Sequence, residues 1–404
     1  MQQAHSSAKG DFRRWLPIIG ISFAVFVFNT SEFMPIGLLS DIASDLHISD
    51  ARAGLLISVY AWVVALMSLP LMMMVSKMEM KRLMLGIVAL FVVSHVGSAL
   101  AEGYYTLMVS RVGVACAHSI FWSIAAPLAV RTVPDGRRAL GLSMIATGSS
   151  VAMVVGLPLG RIVGLYVGWR MTFFSIAVVA ALIFIYLLIV FPRVESRGGF
   201  SVRKMPALLR NRALLGIFVM SVLFATAHYT GYSYIEPFLG RIAGMSPGAV
   251  TATLIVFGAS GMLGSIAFGK YYMKHRYGFI LTTTLAPAVV LLLLQPAALS
   301  VPSIVIACIV WGAMATAFNI AFQDSTIRFA PEDAAPIAMS IFSGIFNLGI
   351  GSGAYIGGLV VTHLFIAHIG YAGGAIGLLA TAYCAFRLFP NMRRRENKMN
   401  ENVA

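Results

Sequence analysis

Apolar residues in this chain gather into long stretches broken by brief polar segments. Twelve such stretches reach roughly 20 residues or more, the length a helix needs to cross the hydrocarbon of a bilayer. Their approximate bounds are 17–40, 51–75, 82–101, 104–130, 139–166, 169–191, 213–236, 247–269, 278–298, 302–327, 336–362 and 366–389, spans 1 to 12 in chain order. Gly and Pro punctuate them, which membrane helices tolerate because neighbouring helices re-satisfy the freed backbone groups. The pattern also repeats. At a shift of 197 positions, the separation of Gly156 from Gly353, Pro134-Asp135 falls on Pro331-Glu332, Ser143 on Ser340 and Gly160 on Gly357. Ile48-Ser49 falls likewise on Met245-Ser246, and Lys77 on Lys274. One offset across distant segments marks a duplicated half. A duplicated chain of this kind reads as an all-α polytopic membrane transporter in two lobes, its substrate site between them.

Composition sharpens the picture. Of 404 residues, 59% are hydrophobic and 11% charged, against about a quarter charged in a soluble domain, so lipid is the solvent. The net charge of +14 would suit nucleic acid, but its distribution argues otherwise. With both termini cytoplasmic, all but five of the 29 Lys and Arg fall in segments on the inner side. The five are Arg52, Arg161, Arg170 and Arg241 toward the other side and Arg111 inside span 4. This is the positive-inside asymmetry, which sets orientation and excludes a nucleic-acid partner. Residues 192–212 form the one long polar stretch inside the chain and read as a basic cytoplasmic linker lying partly along the membrane face. The expected organisation is therefore a six-helix lobe over 1–191, the linker, and a second six-helix lobe over 213–404 ending in a basic tail. The polar residues 1–16 and the long first apolar run do not read as a cleavable signal. Cys116, Cys308 and Cys384 have no paired spacing, so neither disulfide nor metal site is expected, and no cofactor.

Charge in hydrocarbon is costly, which makes intramembrane ionisable residues the informative ones. Glu32 alone of the acids falls well inside a span, and Asn29 three residues before it shares its helix face. A lone carboxylate there faces a cavity or a cation, and its burial favours proton uptake, the chemistry of a proton carrier. The structural alternative is a Glu that locks two helices. Span 4 carries Arg111, His118 and Trp122 on one stripe, with Arg111 at about the depth of Glu32. A Glu32–Arg111–His118 cluster could take up a proton from one side and release it to the other. Its bland counterpart is a structural Arg111–Glu32 bridge with His118 as a core histidine. His95 in span 3 has no evident companion and reads as structural.

Span 7 carries His228, Tyr229, Thr230, Gly231, Tyr232, Ser233 and Tyr234 in succession, polar for a helix centre. Tyr229, Tyr232 and Ser233 fall on one side. Sugar recognition wants rings that stack on C–H faces and hydroxyl or amide groups for the rim, and this segment supplies both kinds. The competing reading is an interfacial tyrosine belt. Asn319 and Gln323 in span 10 and Asn347 in span 11 add uncharged hydrogen-bonding groups, although Asn347 could equally serve helix packing. Trp62 and Trp122 are candidates for stacking, with Tyr60 beside Trp62, while Trp15 and Trp169 look like interfacial anchors. Glycines at 148, 156 and 160 in span 5 and at 349, 351, 353 and 357 in span 11 are expected first to let helices approach closely. Two mimics fail on context. The run Gly264–Lys270 copies most of a P-loop, but Tyr271 stands where Ser or Thr holds magnesium. The glycines of Gly349–Ala354 imitate a dinucleotide fingerprint inside a membrane helix.

Several blocks resemble a known family: FNTSEFMPIGLL at Phe28–Leu39, YAWVVALMSLP at Tyr60–Pro70, GLPLGR at Gly156–Arg161, AHYTGYSYIEPF at Ala227–Phe238 and FSGIFNLG at Phe342–Gly349. Together they resemble bacterial sugar efflux transporters of the twelve-helix drug:proton antiporter branch of the major facilitator superfamily, over essentially the whole chain. The resemblance implies a major facilitator fold of 12 transmembrane helices in two pseudo-symmetric six-helix lobes, working by alternating access. It implies proton-driven export of sugars such as arabinose and lactose-like glycosides across the bacterial cytoplasmic membrane, by a monomer. By position, the membrane Glu of span 1 is Glu32, the span 4 Arg is Arg111 and the span 4 His is His118. The antiporter signature falls on Gly148 through Gly160, where Gly-Leu-Pro-Leu-Gly-Arg replaces the usual Gly-Pro. In the loop between spans 2 and 3, Lys77, Met78 and Met80 stand where Asp, Arg and Gly are usual, leaving Lys81-Arg82 recognisable. The rival transport function is efflux of neutral amphipathic drugs. A polytopic membrane enzyme would need an acidic or His-rich surface loop, and 192–212 is basic with Glu195 its one acid.

Overall fold

The computed structural model describes residues 15–75, 77–134, 137–194, 205–331 and 334–401. Asp135 and Glu332 of the repeat, residues 195–204 of the expected linker and 402–404 of the tail lie outside the described residues. Every regular element among the described residues is helical. Among the described residues, ten helices are long and apolar enough to cross a membrane: Leu16–Gly37, Asp50–Val75, Met80–Ala99, Tyr104–Thr132, Trp169–Val190, Arg212–Arg241, Pro247–Tyr272, Val301–Phe329, Ile337–His363 and Ile366–Asn397. The bent pair Leu140–Gly156 and Pro158–Val167 makes an eleventh, and Arg276–Leu292 is apolar but shorter. Each of the twelve expected stretches thus meets a helix. Span 9 is short because its 17 residues rise only about 26 Å.

Local chemistry sets the ends and breaks. Asn211, Ser246 and Ser300 cap spans 7, 8 and 10 by accepting from the N–H groups of Ala213 and Leu214, of Ala249 and of Ser303. Gly168 alone separates spans 5 and 6, at a φ of 90° that side chains with a Cβ avoid. Span 5 passes through a π-helical turn over Ala152–Gly156 just before Pro158, whose ring removes an intrahelical donor. On span 6, Leu182 and Ile189 remain exposed, costless where the surroundings are lipid tails.

By packing, the chain forms two compact units, Met1–Asp41 with Leu66–Phe200, and Ile42–Ala65 with Ser201–Ala404. In the first, span 5 lies on span 1. A Cβ on Gly156 would fall 2.7 Å from Thr30 Oγ1 and one on Gly148 2.7 Å from the Ser22 carbonyl oxygen. Span 11 lies on span 7 in the second unit in the same way, with Gly353 against the Thr226 carbonyl and Gly357 against that of Thr230. Spans 7 and 11 are the repeat's counterparts of spans 1 and 5, so the duplicated glycines do duplicated packing.

Sequence order would put all of span 2 in the first half, but its N-terminal part groups with the second unit. Asp50, buried, takes a two-pronged ion pair from Arg241, with Nη2 to Oδ1 at 3.1 Å. The Tyr234 hydroxyl, donating to the Ala354 carbonyl at 3.2 Å, lies 2.8 Å from where a Cβ on Gly358 would be. Trp62 packs on Gly351 with its ring 5.6 Å from that of Tyr355.

Candidate functional site

Span 1 places Asn29 and Glu32 in the interior of the first unit, 5% and 8% exposed. Pro35 shapes this region. It has no N–H, so the Ser31 carbonyl four residues earlier lacks its helical donor. Arg111 supplies one from span 4, donating Nη1–H to Ser31 O at 3.2 Å. Its guanidinium also lies over the Phe173 ring of span 6. Seven residues on, His118 puts Nε2 3.6 Å from Glu32 Oε2. That is ion-pair range but beyond a hydrogen bond, so closure by roughly half an ångström would make a path for a proton. The charge of Arg111 acts on Glu32, His95 and His118 alike. Glu32, Arg111 and His118, expected together from the sequence, are together.

His95 does have a companion, contrary to expectation. Ser31 Oγ lies 2.7 Å from its Nε2, with both residues wholly buried. The sequence signal was there: Ser31 adjoins Glu32, and its carbonyl is the one that Pro35 orphans. Phe28 stacks between Phe91 and Phe121 at centroid distances of 3.9 and 4.1 Å and walls this cluster with apolar surface. Asn29 Nδ2 donates to Ser149 Oγ of span 5 at 2.7 Å, and the Trp122 ring lies 6.1 Å from that of His118. At the end of span 1, Arg161 of the Gly-Leu-Pro-Leu-Gly-Arg motif donates to the Gly37 carbonyl, a cation on a helix C-terminus. Burial pushes the Asp41 carboxyl up from its ordinary value, against the pull of Arg161. Trp169, expected as an interfacial anchor, is instead buried beneath Arg170, whose guanidinium lies 4.3 Å from the indole centroid.

In the second unit, His228, Tyr229 and Tyr232 form one aromatic cluster. The His228 ring is 4.8 Å from Tyr229 and 5.1 Å from Tyr232, and Tyr232 stacks on Phe257 of span 8 at 4.8 Å. Trp311 of span 10, which sequence reasoning passed over, closes the cluster by donating its indole N–H to His228 Nδ1 at 3.0 Å. Ser233 departs from the expected lining, since its hydroxyl is wholly buried at the helix end without a hydrogen-bond partner. Asn319 and Gln323 bond each other one turn apart on span 10. Asn347 turns its Nδ2 back to the Ser343 carbonyl, and its buried Oδ1 has no partner. Tyr60 is buried and Trp62 half-buried in the N-terminal part of span 2.

The chain matches the Major Facilitator Superfamily over residues 21–337. Among solved structures, it resembles a bacterial homolog of the human lysosomal transporter Spinster in an inward-facing, unoccupied conformation. That match has a TM-score of 0.69 at 17% identity and covers 95% of this chain and 94% of the other. It also resembles a POT family transporter in complex with 5-aminolevulinic acid, with a TM-score of 0.75 at 14% identity over 94% of this chain and 96% of that one. At such identities, the likeness is one of fold.

Proposed function

A membrane transporter and not an enzyme, the chain belongs to the major facilitator superfamily, and on that premise we propose that it exports sugars such as arabinose and lactose-like glycosides in exchange for protons. The observation that carries this reading is the buried Glu32–His118 contact at 3.6 Å under the charge of Arg111. Buried carboxylates in a membrane protein are expensive and are retained where they move charge. Glu32 takes the proton in this scheme. His118 is the neighbour able to accept or return it, and Arg111 stabilises the carboxylate once the proton leaves. Burial of the pair separates a protonated, neutral state from an ionised one by a cost that water-exposed residues would not feel, so protonation biases which conformation is stable. The aromatic cluster around His228 supplies flat apolar faces with hydroxyl and ring N–H groups at their edges, the combination a sugar presents in reverse. Both termini lie on the cytoplasmic side in this scheme, as the Lys and Arg distribution supports.

The test is uptake of labelled arabinose into proteoliposomes with and without an imposed proton gradient. Glu32→Gln keeps the shape and removes the titrating proton. We expect it to abolish gradient-driven uptake while leaving the protein folded in the membrane. Wild-type uptake by that variant would remove Glu32 from the coupling. The second reading, efflux of neutral amphipathic drugs, draws on the phenylalanines at 224, 257 and 318 around the same cluster. A panel of such compounds in the same vesicles separates the two.

A further inference from the structure

Trp311 is wholly buried, and its indole nitrogen is a donor only. When it donates to His228 Nδ1 at 3.0 Å, that nitrogen must be the unprotonated one. A neutral imidazole then carries its hydrogen on Nε2. A histidine free of such a partner could offer either a donor or an acceptor on that side, but this one is committed. The commitment is built into the packing. Gly231, one helical turn beyond His228, makes room for the indole: a Cβ there would stand 3.1 Å from Trp311 Cη2 and 2.6 Å from Leu291 Cδ2. Phe257 meets Trp311 edge to face at 5.4 Å and stacks on Tyr232, so three helices hold the indole and the imidazole in register. His228 keeps 7% of its surface open and Tyr229 4%, while Tyr232 is half-buried.

We infer that Trp311 is a positioning residue that sets His228 as a permanent Nε2–H donor, so that the cluster selects neutral ligands presenting an acceptor oxygen beside an apolar face. Ligands whose polar groups are donors only, such as alkylammonium ions, meet a like donor and are disfavoured. This deepens the sugar reading and rests on it for the ligand, but the state of the ring is independent of any ligand.

The experiment reads the ring directly. Protein labelled with 15N-histidine is placed in lipid nanodiscs, and the His228 signals are assigned by their loss in His228→Gln. In the unmodified protein, Nδ1 is expected to be unprotonated and Nε2 to carry the hydrogen; a protonated Nδ1 overturns the inference without recourse to any variant. Trp311→Phe fills most of the same space and removes the N–H. It is expected to lose the single tautomer and to weaken arabinose binding by about tenfold, the worth of one well-placed hydrogen bond. A tautomer unchanged in Trp311→Phe overturns the role of Trp311. If the tautomer depends on Trp311 while arabinose binds to neither protein, the sugar reading fails and the positioning role stands.

Discussion

Pro35 and Arg111 show how one residue type creates a need that another meets. The proline withholds an N–H from the Ser31 carbonyl, and the guanidinium fills the vacancy from 80 residues away in sequence. Arg111 is thereby held where its charge reaches Glu32, His95 and His118. Removing the arginine leaves a buried carbonyl unpaired, which costs about 1 kcal/mol even in a membrane protein. A double-mutant cycle isolates that bond. Arg111→Leu should lower the melting temperature in detergent, and adding Pro35→Ala, which restores the helical N–H, should recover part of the loss. A double variant no more stable than Arg111→Leu, with Pro35→Ala itself harmless, would mean that Arg111 does not serve the carbonyl. Glu32 was legible because charge stands out in an apolar stretch. Ser31 left only an indirect mark, its carbonyl orphaned by Pro35, and His95 and Trp311 left none, because each looks ordinary until its partner on another helix is known.

Helix ends carry information of their own. Glu79, in the loop between spans 2 and 3, accepts from the N–H groups of Lys81 and Arg82 at the start of span 3 and from that of Val194 beyond span 6. The Met80 N–H donates back to the Val194 carbonyl at 3.0 Å, so this loop is tied to the end of span 6. Burial pushes the Glu79 carboxyl up, but the three N–H donors and Arg82 outweigh it and hold the group below the ordinary carboxylate value. Because the folded value is the lower one, the carboxylate stabilises the fold above about pH 4.3, the free carboxyl's value, and that contribution fades as pH falls through the folded value. Glu79→Ala should therefore lower stability by about 1 kcal/mol near neutral pH, the usual worth of a cap. Its deficit against the unmodified protein should shrink in acid. A deficit that stays constant from pH 7 to pH 3 would assign the loss to packing instead of the carboxylate. The loop departs from the family's usual Asp-Arg-Gly pattern at Lys77, Met78 and Met80, and Glu79 is the group that organises it here.

At the scale of the molecule, packing and sequence order disagree over the start of span 2. The buried Asp50 with Arg241, Tyr234 over Gly54 and Gly358, and Trp62 on Gly351 bind Ile42–Ala65 into the second unit. If the proposed exchange works by the alternating access that the sequence resemblance implies, this attachment must be made and broken in every cycle. The paired substitutions Asp50→Cys and Arg241→Cys, joined by a short thiol cross-linker, should then stop uptake, and reduction of the linker should restore it. Full uptake by the cross-linked protein would make the attachment permanent.

The amino-acid order on its own carries the twelve apolar stretches, the repeated positions and the acid that interrupts span 1. Each of these is a matter of how much apolar length is present and where charge interrupts it, which the bilayer reads segment by segment. The tertiary structure alone decided the neighbours: Ser31 with His95 across 64 residues, His228 with Trp311 across 83 and Asp50 with Arg241 across 191. Hydropathy says that a helix crosses but leaves its rotation and depth open. Those are set by side chains interlocking with other helices, here largely where glycines let the backbones meet.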